Sequence, residues 1–164
     1  MSTRAATAAD LPAIADIYAH YVRSSVASFE LEPPAADEWQ TRFSNVAAAG
    51  LPFVVVERDG KVAGYAYCLP WKARPAYQGT VEDSIYLAPW ATGQGAGSEL
   101  LGVLLDAARA AGVREVIAVI ADSGDPSSIA LHKKLGFDDA GRLRQVGHKH
   151  GRDIDTVLLQ RSLR

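Results

Sequence analysis

Tyr86-Leu87-Ala88-Pro89-Trp90-Ala91-Thr92-Gly93-Gln94-Gly95-Ala96-Gly97-Ser98 is the stretch on which the fold turns. Upstream, Thr80 to Ala88 alternates as a strand. Downstream, Leu100, Leu101, Leu104, Leu105 and Ala108 recur at helical spacing, with a stop near Gly112. Gly93, Gly95 and Gly97 lie between the two at alternate positions. A strand that passes through such a turn into a helix lets main-chain N–H groups converge at the positive end of the helix dipole, where a pyrophosphate can be held. The same glycines also suit a plain turn, through their dihedral freedom alone. Other phosphate loops do not fit: no lysine follows the last glycine as a P-loop requires, and Ser98 stands where a dinucleotide fingerprint needs its third glycine.

Working outward, Phe53 to Arg58 and Val62 to Tyr67 flank Asp59-Gly60, a strong hairpin signal. Before them, Thr3 to Ala6 reads as a short strand. Leu11, Ile14, Ile17, Tyr18, Tyr21 and Val22 mark an amphipathic helix opened by Thr7 and Asp10 in capping-box spacing. Trp39, Phe43 and Val46 mark a second helix, ending at Gly50. After the glycine loop and its helix, Glu115 to Ala121 is apolar on both parities and reads as a central strand covered on both faces. Ser127 to Leu135 is a short helix stopped by Gly136, and Phe137 onward, with Val157-Leu158-Leu159, supplies the last strands. The order β-α-α-β-β-β-α-β-α-β-β specifies an α/β fold, a mixed sheet with helices on both faces, in one domain over 1–164.

The 164 residues are 48% hydrophobic, enough for a substantial core, and a net charge of −2 offers no broad positive field for nucleic acid. No apolar run approaches the length of a spanning helix, and the N-terminus has no signal-peptide pattern, so no membrane is expected as a partner. Cys68 is the only cysteine, which fits a reducing cytoplasm and the role of a small buried side chain.

In Thr80 to Ala88, Thr80, Glu82, Ser84 and Tyr86 share one face. Asp83 intrudes among Val81, Ile85 and Leu87 on the other, a conflict that a bulge at Asp83 would relieve. Glu82 is thus a carboxylate near the sheet centre, suited to taking a proton from an ammonium. His132 shares a helix face with Ile129 and Leu135, the setting of a packing histidine. Lys72, Arg74 and Tyr77 surround Pro75 on a loop just before the Glu82 strand. They are either solvated charges or a carboxylate-binding group. His148, His150, Asp153 and Asp155 alternate as metal ligands would, but Gly151 signals a turn that breaks the alternation, and no metal is expected.

The glycine loop together with Asp125-Pro126-Ser127-Ser128-Ile129-Ala130-Leu131-His132-Lys133-Lys134-Leu135-Gly136-Phe137 resembles the GCN5-related N-acetyltransferase (GNAT) superfamily, with Gly95 and Gly97 at the two small positions of its diphosphate loop. Thr92 stands where that loop usually has Gln or Arg. Ser25 to Glu30, Pro70 to Tyr77, Thr80 to Tyr86 and Gly147-His148-Lys149-His150-Gly151 are similar to its phosphinothricin and methionine-sulfoximine acetyltransferase branch, although Asp153 replaces a common Trp. The resemblance implies a mostly antiparallel sheet with splayed central strands, and acetyl-CoA as co-substrate. It implies contacts to acetyl-CoA from Ile85, Tyr86 and Leu87, from Gly93, Gln94, Gly95, Ala96, Gly97 and Ser98, and from Asp125. It further implies catalytic Glu82 and His132; a pocket for a small amino acid formed by Phe29, Lys72, Arg74, Tyr77 and Asp83; and a homodimer. Two alternatives stay open at this point: another amine substrate (a peptide N-terminus, a polyamine, an antibiotic) or a CoA-binding module without catalysis.

Overall fold

The computed structural model describes residues 1–164. Strand β1 (Ser2–Ala5) leads through a 3₁₀ turn into helix α1 (Leu11–Ser24), whose buried face carries Leu11, Ile14, Ile17, Tyr18 and Val22. Pro12 sits in the first turn, where its missing N–H removes no helical bond. Asp10 anchors the entry: its carboxylate accepts the Thr7 N–H at 2.8 Å and both terminal nitrogens of Arg4 at 2.8 Å. Helix α2 (Ala36–Ala48) follows, and Gly50 leaves it at a φ of +69°.

Strands β2 (Phe53–Arg58) and β3 (Lys61–Pro70) form the expected hairpin, with Asp59 and Gly60 both at positive φ, +52° and +75°. Strand β4 (Thr80–Leu87) is followed by helix α3 (Ala96–Ala110), strand β5 (Glu115–Ala121) and helix α4 (Ser127–Lys134). The long strands β6 (Asp138–Lys149) and β7 (Arg152–Ser162) close the chain. The sheet order is β1-β2-β3-β4-β5-β7-β6, and every neighbouring pair is antiparallel except β4–β5. A parallel pair needs a crossover, and α3 supplies it.

Helices α1 and α2 cover one face, where Trp39 meets Tyr65 and Phe43 meets Phe53 edge to face. Helix α3 covers the other, coming so close that a Cβ at Gly64 would lie 3.4 Å from Leu100. No helix is long and apolar enough to cross a membrane.

Two details differ from the sequence expectation. Strand β5 is not covered on both faces: Val116, Ala118 and Ile120 are buried while Ile117, Val119 and Ala121 are half-buried, and the cleft runs along its second half, lined by Ala118, Val119, Ile120 and Ala121. No bulge occurs at Asp83; the β3–β4 register runs unbroken from Gly64↔Leu87 to Pro70↔Val81, and a partner from α4 resolves the conflict instead. In β7, Val157 and Leu159 belong to the core, and the exposed apolar residues of this end are Leu143 (48%) and Val146 (57%) on β6.

Candidate active site

The β4–β5 ladder consists of Thr80↔Glu115, Val81↔Val116 and Glu82↔Ile117. Beyond Glu82 the strands diverge, and a cleft of about 540 Å³ opens there. Main-chain groups along a strand face its two neighbours alternately. The Thr80 carbonyl and the Ala88 N–H bond on the β3 side (to Trp71 N and Ala63 O), so those of Asp83, Ile85 and Leu87 turn toward the gap. Of these, the Leu87 carbonyl accepts the Tyr21 hydroxyl. Tyr86 directs its main chain to β3 and contributes its ring to the cleft wall.

At the far end of β4 the glycine loop adopts the conformation its sequence demands. Gly93 and Gly95 have φ of +73° and +85°, Gly95 is the N-cap of α3, and a Cβ at either would meet nothing within 4 Å. The cradle is therefore open to a ligand on the side where any other residue would carry a side chain. Gly97 has a further reason to be small, since its Cβ would lie 3.2 Å from Leu131 of α4. Thr92, Gly93, Gly95, Gly97 and Ser98 line the cleft; Gln94 turns its amide to the Trp90 carbonyl, and Ala96 is buried. The Thr92 hydroxyl bonds the Pro89 carbonyl. Lys134, which the sequence reading passed over, brings its ammonium to Ser98 Oγ at 3.1 Å, in the first turn of α3. Its only sequence signal is its position two residues after His132.

Glu82, Asp83 and His132 line the same cleft. Burial, then the charge of Asp83, push the Glu82 carboxyl above the usual carboxylate range, against the opposing charge of Lys72. Asp83 and His132 form a buried pair: His132 Nε2 lies 2.7 Å from Asp83 Oδ2, and Nδ1 lies 2.7 Å from the Ser128 carbonyl. Burial alone would disfavour the imidazolium, but the bond to Asp83, its charge and the Ser128 carbonyl together raise the His132 pKa. Two buried polar atoms of the lining, Asp83 Oδ1 and Thr156 Oγ1, have no hydrogen-bond partner in the protein.

The opposite wall is aromatic. Tyr18, Tyr21 and Phe29 line it with Tyr86, whose ring lies 5.2 Å from Tyr18 and 5.4 Å from Tyr21. The Tyr18 hydroxyl ties this wall together, 2.7 Å from Ser28 Oγ and 2.9 Å from Glu30 Oε1. Both tyrosines of α1 fit the apolar helix period, so their hydroxyls gave no separate sign of a site.

Asp125 lines the cleft while its carboxylate caps α4 through the Ser127 N–H at 2.9 Å. Lys72, Arg74 and Tyr77 do not line it. They are exposed on the loop between β3 and β4, with the Lys72 ammonium 4.9 Å from the centre of the Trp71 ring and Tyr77 in a 3₁₀ turn. His148 Nδ1 meets Asp153 at the protein surface, and His150 and Gly151 form the β6–β7 turn. Cys68 is fully buried in β3, its thiol pushed up by burial.

The chain that builds this cleft is similar to several known proteins. It is 51% identical to a phosphinothricin N-acetyltransferase of Alcaligenes faecalis over 94% of this chain and 78% of that protein. It is 38% identical to an L-methionine sulfoximine/L-methionine sulfone acetyltransferase of Pseudomonas aeruginosa, over 99% and 94%. The crystal structure of a GNAT superfamily phosphinothricin acetyltransferase from Sinorhizobium meliloti in complex with acetyl-CoA is similar with a TM-score of 0.93 at 46% identity, covering 99% of this chain and 88% of that one. The model of the acetyltransferase (GNAT) family matches residues 14–137, and this chain is a member of that family.

Proposed function

We propose that the protein transfers the acetyl group of acetyl-CoA directly to the α-amino group of a small amino-acid-like substrate of the phosphinothricin, methionine sulfoximine or methionine sulfone type. The observation that carries this reading is the position of Glu82 on the last paired rung of β4–β5, where the strand edge opens toward the cradle of Gly93 and Gly95. The acetyl thioester supplies an electrophilic carbonyl and a thiolate leaving group. The chain supplies the rest. Glu82, held above the usual carboxylate range, accepts a proton from the substrate ammonium directly or through water. The nitrogen lone pair so released forms the new C–N bond as the C–S bond breaks, and the second proton lost from that nitrogen neutralises the departing thiolate. Main-chain N–H groups of the open β4 edge face the developing negative charge, and the cradle with Lys134 holds the diphosphate. Both ring nitrogens of His132 are engaged, so we assign it to orienting α4 and bracing Asp83 behind the cleft rather than to direct proton donation.

A second reading draws on charge. The ionisable residues that line the cleft are Glu82, Asp83, Asp125, His132 and two tyrosines of α1 with Tyr86, and no Lys or Arg is among them, which would suit a cationic polyamine. Release of CoA thiol, followed with acetyl-CoA and a panel of amines, separates the two. Turnover of methionine sulfone and phosphinothricin over spermidine supports the first reading; the reverse order overturns it, and no turnover of any amine favours a binding module.

We also infer a homodimer, supported by the exposed Leu143 and Val146 of β6 and by the resemblance. Light scattering that gives the mass of one chain at assay concentration overturns it. A cytoplasmic setting accords with Cys68 as a single buried thiol.

A further inference from the structure

Lys149 is only 3% exposed, and its ammonium has one hydrogen-bond acceptor, the Ser28 carbonyl at 2.7 Å. Burying an ammonium against one neutral acceptor is unfavourable, and burial lowers the Lys149 pKa in spite of the nearby charge of Glu30. A residue so placed needs a reason, and its partner supplies one. Ser28 and Phe29 form a wall of the cleft, 121 residues away in sequence. The same β6–β7 hairpin touches that wall twice: a Cβ at Gly147 would come within 2.5 Å of two carbons of the Phe29 ring. Gly147 has no positive φ, so close approach is what requires glycine there.

We propose that Lys149 is a positioning residue that sets amino-acid selectivity by fixing the Ser28–Phe29 wall and by placing a positive charge behind it. This rests on the reading of the protein as an amino-acid N-acetyltransferase. In a cleft lined by Glu82, Asp83 and Asp125, where the basic side chain of His132 is already paired with Asp83, an anionic substrate group needs a further cation nearby, and Lys149 is the buried lysine adjoining the wall. The segment preceding α2 is otherwise held by Tyr18 through Ser28 and by the Glu30–Arg42 pair, 2.7 Å apart, both on the helical side. Lys149 and Gly147 hold it from the sheet side.

The test is steady-state kinetics of Lys149→Met, which keeps the length and removes the donor and the charge. The KM for methionine sulfone should rise roughly tenfold, the loss expected for one hydrogen bond to a charged group. The kcat and the KM for acetyl-CoA should stay within about twofold, and Lys149→Arg should recover most of the loss. The KM for the carboxamide of the same substrate should rise less than that for the acid. An unchanged KM for the acid, or an equal loss in kcat and in the acetyl-CoA KM, overturns the proposal. If Lys149→Met does not fold, Gly147→Ala carries the test: its Cβ must displace the Phe29 ring, so the amino-acid KM should rise with acetyl-CoA affinity intact, and no rise overturns the proposal. Wild-type protein with no activity on amino acids would remove the parent reading instead, a distinct outcome.

Discussion

The two edges of β4 belong to the same eight residues and have opposite fates. Toward β3, register continues through seven pairs from Gly64↔Leu87 to Pro70↔Val81. Toward β5 it ends after three. A buried main-chain group without a partner is costly, so a strand edge left open inside a domain is stable only when solvent or a ligand completes it. The site is made by withholding β-pairing. The closed edge fixes where β4 lies, and the open edge, with Glu82 at its start and the glycine cradle beyond its end, is what a bound molecule can complete.

Substitutions at either edge of β4 should have unequal consequences. The largest is Glu82→Gln, which leaves both edges intact but removes the base at the fork. Turnover should fall by on the order of 10²-fold or more while calorimetric acetyl-CoA affinity is retained. Wild-type turnover at every pH would remove Glu82 from the mechanism.

Gly95→Val acts at the other end of the open edge. A β-branched residue at a φ of +85° is strained by about 1–3 kcal/mol, and its side chain enters the cradle, so acetyl-CoA binding should weaken by roughly tenfold or more. Undiminished affinity in a folded variant counts against the cradle.

His132→Asn tests what braces the open edge from behind. Breaking one side of a buried pair should destabilise the fold by about 3–5 kcal/mol, read in chemical denaturation. The pH dependence has a definite sign. A histidine whose folded pKa is raised contributes stability that is full below its ordinary value, about 6.5, and is lost as pH rises through the folded value. Wild-type stability should therefore decline as pH rises above about 6.5, and that decline should be absent in the variant.

Smallest is Lys72→Met. Lys72 opposes the upward push on the Glu82 carboxyl, so its loss should move the acidic limb of kcat/KM to higher pH. An unmoved limb means that the exposed ammonium is fully screened at Glu82.

Much of this was legible in the sequence, for identifiable reasons. The loop from Gly93 to Gly97 sets three alternate glycines between a strand and a helix, a pattern that marks the turn whether or not it holds a ligand, and Asp59-Gly60 admits few structures besides a hairpin. The parity of β4 held as well, with Glu82, Ser84 and Tyr86 on one face. What failed to show was relational. Asp83 looked like a defect in an apolar face because its partner, His132, is 49 residues away. Tyr18 and Tyr21 satisfied the core period of α1 and so concealed their hydroxyls. The run Glu115 to Ala121 is apolar on both parities, yet only one parity is buried, because no local signal records where a neighbouring strand departs. Lys72 and Arg74 lie on a charged, proline-bounded loop that is exposed and outside the lining of the cleft, while the Lys72 charge still acts on Glu82.

The far end of the sheet has a different consequence. β6 is the outermost strand, twelve residues long and exposed along most of its length, which is the geometry that invites a second chain to add as another strand. Its register with β7 slips twice, between Asp139 and Gly141 and between Leu143 and Gly147, and Gln145 within the second slip has a φ of +54°. A strand so interrupted presents no long straight template. Any association through this end should use the faces around Leu143 and Val146 rather than extend the ladder. Shortening Leu143–Gly147 to restore a regular register would then yield a chain that folds and still forms fibrils.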